Sequence, residues 1–188
     1  MAFADFRGGK VHYRVAGKGR AIVLLHGFLG SMYIWENLLL ALSKRYKVVL
    51  IDLPGHGKTE NFGYVHKMDL MAEAVKAVLH ELQLRRYVLI GHSMGGYVTM
   101  AFAEKYMDNL RGVVLFHSTA LADSEEKKSD RDKAIKVAKK NKEKYLKESV
   151  KKLFFPSNIK KHPELLLKAT NIANATSVQG IVAAIEGM

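Results

Sequence analysis

An α/β fold, with a mostly parallel sheet and helices on both faces, is what this 188-residue sequence predicts. Three observations carry it. Short apolar runs such as Ala21–Leu25 (AIVLL) and Tyr87–Ile90 (YVLI) show the near-continuous hydrophobicity of strands buried on both faces. Strand-like and helix-like segments alternate, as they do when helices cross over a parallel sheet. The apolar runs also end in glycine-bearing turns, and in such sheets active groups gather at the carboxyl ends of the strands.

The elements follow in order. Ala2–Phe6 and Val11–Val15 alternate polar and apolar residues and are joined by Gly8-Gly9, which reads as a hairpin. A strand at 21–25 is followed by a helix at about 33–43, a strand at 47–52 and a helix at about 68–83. Then come a strand at 87–91, a helix at about 94–107 and a strand at 112–116. His26, Asp52, Ser93 and His117 all fall at strand ends.

From about Leu121 the character changes. Residues 121–162 carry 14 Lys or Arg against 7 Asp or Glu. Residues 124–152 read as one charged helix with a thin apolar stripe: Ala134, Ile135, Val137, Ala138, Tyr145, Leu146 and Val150. Leu153-Phe154-Phe155-Pro156 ends it, the proline marking the stop. Helical segments follow at about 162–171 and 176–187. The division expected is a core over 1–120 and, over 121–188, a helical layer that starts to return to the core.

Three motifs bear on chemistry. Gly91-His92-Ser93-Met94-Gly95-Gly96 sits between a buried strand and an apolar helix that begins with Tyr97 and Val98. Gly-x-Ser-x-Gly at that junction is a nucleophile elbow, a strained turn that lifts the serine hydroxyl above the sheet edge. Gly91 and Gly95 flank the serine where the turn leaves little room, and Gly96 lets the helix pack close. The second motif, His26-Gly27-Phe28-Leu29-Gly30-Ser31, can aim a backbone N–H at the same point. With the N–H after the serine this gives two donors, Phe28 and Met94, for an oxyanion hole. In the third, Asp52-Leu53-Pro54-Gly55-His56-Gly57, Asp52 and His56 are read as fixing the turn through local hydrogen bonds. Tyr33 and Trp35 are read as packing over the oxyanion loop.

In order and spacing these three motifs resemble the α/β-hydrolase-fold serine hydrolases. The resemblance covers residues 1–120 well and the rest loosely. It implies an esterase-like enzyme in which Ser93 is the nucleophile and forms an acyl-enzyme with a small acyl substrate, most simply a carboxylic ester. It also implies a helical cap where residues 121–162 lie. His26, Gly27 and His92, in positions that serve backbone geometry, join Phe154 and Phe155 as the substrate-binding set. The two phenylalanines either line an acyl pocket or staple cap to core. No cofactor and no metal are implied. The family's order of Ser, then acid, then His rejects Asp52 as the triad acid, because it precedes Ser93.

A serine needs a base, nearly always a histidine oriented by an acid. After Ser93 the sequence offers only His117 and His162, with Asp123 close behind His117. The two further strands that carry acid and histidine in the family have no counterpart by Met188. The expectation is therefore an incomplete triad, carboxyl-terminal strands absent from this chain, and poor activity of residues 1–188 alone. The strand at 112–116 would then expose Val113–Phe116 on an apolar edge, open to a separate carboxyl-terminal peptide or to self-association.

Composition narrows the classes. Hydrophobic residues at 48% and charged residues at 26% are ordinary globular values. No apolar run reaches a membrane span's ~18 residues, and the first ten residues lack a signal-peptide pattern. Zero cysteines exclude disulfides and suit a cytoplasmic protein. The net charge of +12 raises nucleic acid as a partner, but no binding signature accompanies it, and none is expected. Three readings stay open: a serine hydrolase, a non-catalytic binding or scaffolding protein that keeps the pocket, and a basic surface-binding module.

Overall fold

The computed structural model describes residues 2–188. One six-stranded sheet has the order β1-β2-β4-β3-β5-β6. β1 (Ala2–Phe6), β2 (Gly9–Ala16) and β4 (Lys47–Ile51) pair antiparallel in turn. β3 (Ala21–Leu25), β5 (Tyr87–His92) and β6 (Leu110–Phe116) complete the parallel part with β4. Phe6 pairs with Gly9, so the hairpin turn is Arg7-Gly8, one residue before the pair the sequence suggested. Both turn residues have positive φ, 46° and 80°, as a two-residue hairpin loop demands.

The sheet is covered on both faces. Side chains alternate along each strand, so Val23, Leu25, Val49, Ile51 and Leu89 meet α2 (Met68–Glu81) and α3 (Met94–Tyr106). Leu24, Val48 and Leu50 face the opposite way, onto Trp35 and α1 (Glu36–Leu42). The expected helix at 33–43 is thus split: Met32–Trp35 is a 3-10 turn capped by Ser31 Oγ. β6 lies at the sheet edge, with Val113, Val114 and Phe116 each more than two-fifths exposed.

Past residue 120 the chain forms five helices: α4 (Glu125–Lys140), α5 (Lys142–Lys151), α6 (Pro156–Lys161), α7 (Pro163–Asn174) and α8 (Val178–Gly187). The single charged helix expected over 124–152 is two helices. Asn141 leaves the helical region at φ −154° and ψ 91°, and its side chain accepts from Lys144 N–H, capping α5. Pro156 does not only stop a helix. It occupies the first turn of α6, where its missing N–H costs nothing. The thin stripe holds: Ile135, Ala138, Leu146 and Val150 join Ala173, Ile181 and Ile185 in a second core, which rests on Leu29. α8 returns to the sheet region, where Ala183 O accepts from His66 N–H at 2.8 Å.

Candidate functional site

Ser93 sits between β5 and α3 with φ +51° and ψ −118°, outside the regions a serine normally occupies. Strain of this kind costs about 1–3 kcal/mol and persists only where neighbours impose it. They do so here through the backbone. Ser93 N–H donates to Phe116 O at 3.0 Å, and Ser93 O accepts from Ser118 Oγ at 2.9 Å and Gly96 N–H at 2.8 Å. Ser118 was not singled out in the sequence. It has no motif of its own, and only the sheet brings β6's end beside the elbow. Among the described residues Ser93 Oγ makes no hydrogen bond, so the hydroxyl is uncommitted.

The loop after β3 lies directly against the elbow. A methyl group on Gly27 would sit 3.0 Å from Ser93 Cβ and 2.8 Å from His92 Nδ1. One on Gly95 would sit 2.6 Å from His26 O. Both contacts need bare glycine, which is why the two motifs can share a site. Gly30 N–H closes a turn on Gly27 O at 3.0 Å, and Leu29 takes φ +58° at the turn's third position. Among the described residues neither Phe28 N–H nor Met94 N–H has a partner. Met94 is the first residue of α3, where helix N–H groups lack intrahelical acceptors and the dipole favours negative charge.

Asp52 supports this loop from beneath, with no exposed surface. One carboxylate oxygen accepts from Met32 N–H at 2.7 Å; the other accepts from Lys58 N–H at 3.0 Å and lies 2.8 Å from His12 Nδ1. The turn-fixing role read from sequence is therefore wider than local, because it ties β2, the loop after β3 and the third motif together. His26 is also fully buried. Its Nδ1 faces Gly27 O at 2.8 Å while Nε2 accepts from Leu53 N–H at 2.9 Å, which fixes the Nδ1–H tautomer. Burial holds its pKa below the ordinary histidine value. Both ring nitrogens of His26 serve backbone, as its motif position suggested, and the ring is fully buried. His56, its neighbour at 5.3 Å, is pushed down to about 3, first by burial and then by His26.

His92 is half-buried, its ring 6.2 Å from Trp35 and 6.3 Å from His117. Burial, then the nearby His117 and His26, lowers its pKa. Trp35 is 4% exposed and stands edge-on to His92, as the packing role for it required. His117 is exposed at the end of β6. Asp123 does not orient it, since that carboxylate pairs with Lys127 and Arg131 instead. His162 pairs with Glu164 in the helical layer. Phe154 lines a cavity with Lys151, Lys152 and Ile159, all from the helical layer, and Phe155 is 73% exposed. Ser93 does not line the cavity that Phe154 lines, and Phe154 packs within the layer's own core. A cavity of ≈ 500 Å³ opens between α7 and the loops bearing Ser31, Tyr33 and Lys58, spanned by the 2.6 Å pair of Lys168 with Glu36. Ser93 does not line it. Among the described residues no group of three acidic, His or Cys side chains is placed to hold a metal.

Comparison with known proteins identifies the fold family. A family model described as the alpha/beta hydrolase fold matches residues 20–179. A thermophilic esterase from Thermogutta terrifontis superposes with a TM-score of 0.92 at 29% identity, covering 99% of this chain and 71% of that one. A 2-hydroxy-6-oxononadienedioate/2-hydroxy-6-oxononatrienedioate hydrolase from Paraburkholderia phymatum is 36% identical over 112 residues, 56% of this chain and 39% of its own length. Haloalkane dehalogenase 2 of Mycobacterium tuberculosis is 33% identical over 112 residues, 59% of this chain and 39% of its own. The chain matches only about a third to two-fifths of the length of such curated relatives.

Proposed function

Given that this chain belongs to the α/β-hydrolase fold family, we propose that it is a serine hydrolase acting on a carboxylic ester or related acyl compound, with Ser93 as nucleophile. The observation that carries this is the elbow itself: a strained, uncommitted Ser93 packed against the Gly27 loop. In the reaction Ser93 Oγ attacks the substrate carbonyl carbon, and the oxygen's growing negative charge is taken by Phe28 N–H and Met94 N–H. Collapse of the tetrahedral species expels the alcohol and leaves an acyl-Ser93. Water then attacks that ester and releases the acid. The ester reading is favoured over carbon–halogen chemistry by the serine, whose acyl-enzyme is the ordinary intermediate of acyl transfer.

The base that takes the Oγ proton is not found among the described residues, since no imidazole bonds Ser93 and Asp123 is engaged elsewhere. Residues 1–188 by themselves are therefore expected to turn over slowly, because the Ser93 hydroxyl attacks with no base to take its proton. The same observation favours the second reading, a protein that binds at this site without catalysis. Hydrolysis of p-nitrophenyl acetate separates them. A slow rate abolished by Ser93→Ala and largely kept by His117→Ala supports the hydrolase. A parent rate equal to that of Ser93→Ala supports the binding protein.

A further inference from the structure

Residues 151–161 run Lys-Lys-Leu-Phe-Phe-Pro-Ser-Asn-Ile-Lys-Lys around the turn from α5 to α6. This turn presents two of its large apolar side chains to water. Leu153 is 69% exposed and Phe155 73%. Four lysines surround them, Lys151 and Lys152 on one side and Lys160 and Lys161 on the other, all exposed. Among the described residues none of the four forms an ion pair. In α4, Lys127, Lys128 and Lys133 each hold an acid three or four residues away, whereas Lys136, Lys139 and Lys140 form no ion pair among the described residues.

Beneath the tip lies a cavity of ≈ 610 Å³. Phe154, Pro156 and Ile159 form its apolar part, and Lys151, Lys152 and Lys160 its basic part, with Glu148 also present. An apolar recess ringed by unpaired ammonium groups suits a molecule with an acyl chain and an anionic head. We propose that the α5–α6 tip is an interfacial docking surface for an anionic phospholipid membrane, with Leu153 and Phe155 entering the headgroup–acyl boundary and the lysines meeting lipid phosphates.

The physics of such binding needs both terms. Apolar insertion alone is weak for so few side chains, and each lysine near an anionic surface adds attraction that salt screens. No helix among the described residues is long and apolar enough to cross a membrane, so the contact is peripheral. Nucleic acid would use the same lysines. It would leave Leu153 without a partner, however, because an aliphatic side chain neither stacks on bases as a ring does nor meets phosphate.

Vesicle co-sedimentation of the 188-residue chain tests this without reference to catalysis. Vesicles of phosphatidylcholine with one-third phosphatidylglycerol should pellet the protein, and pure phosphatidylcholine should not. High salt should release it. Lys151→Ser with Lys152→Ser should weaken partitioning about fivefold per charge removed. Leu153→Ser with Phe155→Ser, at unchanged charge, should weaken it roughly tenfold or more. All four positions are exposed, and unchanged circular dichroism and melting verify that the variants fold. Absence of binding to the mixed vesicles overturns the proposal. So does binding that ignores Leu153 and Phe155, and so does duplex DNA competing the protein off vesicles while the Leu153/Phe155 variant binds that DNA as well as the parent.

Discussion

In the sheet region His12, His26, Asp52 and His56 have no exposed surface, whereas past Leu121 almost every charged side chain stands in water. The two regions are specified differently as a result. Around the elbow, side chains bond to backbone across 20, 27 and 47 residues of sequence, so each loop is positioned by the others. In the helical layer most bonds outside the helix ladders are local caps and i,i+3 or i,i+4 pairs, and one narrow apolar stripe does the joining. Substitutions should therefore propagate in the first region and stay local in the second.

The largest expected effect is Asp52→Ala. It leaves Met32 N–H, Lys58 N–H and the His12 ring without their shared acceptor in a site closed to water. Breaking a buried charged network of this kind costs about 3–5 kcal/mol, or roughly 10 °C in melting temperature for a chain of this size. Thermal melting would show it. A loss no larger than that of a surface substitution would break the contrast between the regions.

Acid should sharpen the contrast further. His26 and His56 are neutral in the fold because burial lowers their pKa, that of His56 to about 3. In the unfolded chain they take up a proton near 6.5. Below that value the unfolded state binds more protons, so the stability these two groups secure is fully present above about pH 6.5 and is lost as pH falls below it, down to about 3 for His56. The slope reaches about 1.4 kcal/mol per pH unit for each histidine. Urea midpoints across this range measure it. His56→Gln should flatten the fall, while the exposed His162→Gln should leave it in place.

Asn141→Ala should have the smallest of these effects. It removes only the cap on Lys144 N–H at 2.9 Å, worth about 1 kcal/mol. The loss should appear as fraying of α5 in amide exchange, with the sheet region unaffected.

What the sequence revealed follows the same division. The strands and the Gly-x-Ser-x-Gly elbow were legible because their chemistry is contained in a few consecutive residues. Even Gly95 could be read, since the sharp turn at the serine leaves little room for a side chain. The partners themselves were not legible. Nothing near Asp52 in sequence points to His12, and nothing near His26 points to the Leu53 N–H that its Nε2 accepts from. In the helical layer the stripe identified the core residues. The break at Asn141 escaped notice because the surrounding lysines and glutamates favour helix on both sides, and a cap is one residue's hydrogen bond. Phe154 and Phe155 drew attention as bulky apolar residues, but hydrophobicity alone does not say which surface they cover.

The central claim is that Ser93 is a nucleophile presented to an oxyanion hole. Labelling with a fluorophosphonate probe, followed by peptide mass mapping, tests it most directly. The account predicts a single, slowly forming adduct on Ser93, absent in Ser93→Ala, because the oxyanion hole favours attack while no base takes the hydroxyl proton. Labelling should also slow when a Gly27→Val substitution crowds the Ser93 side chain, with the fold verified by circular dichroism. An adduct on another serine or tyrosine, or labelling of Ser93 no faster than that of an exposed surface serine, would contradict it.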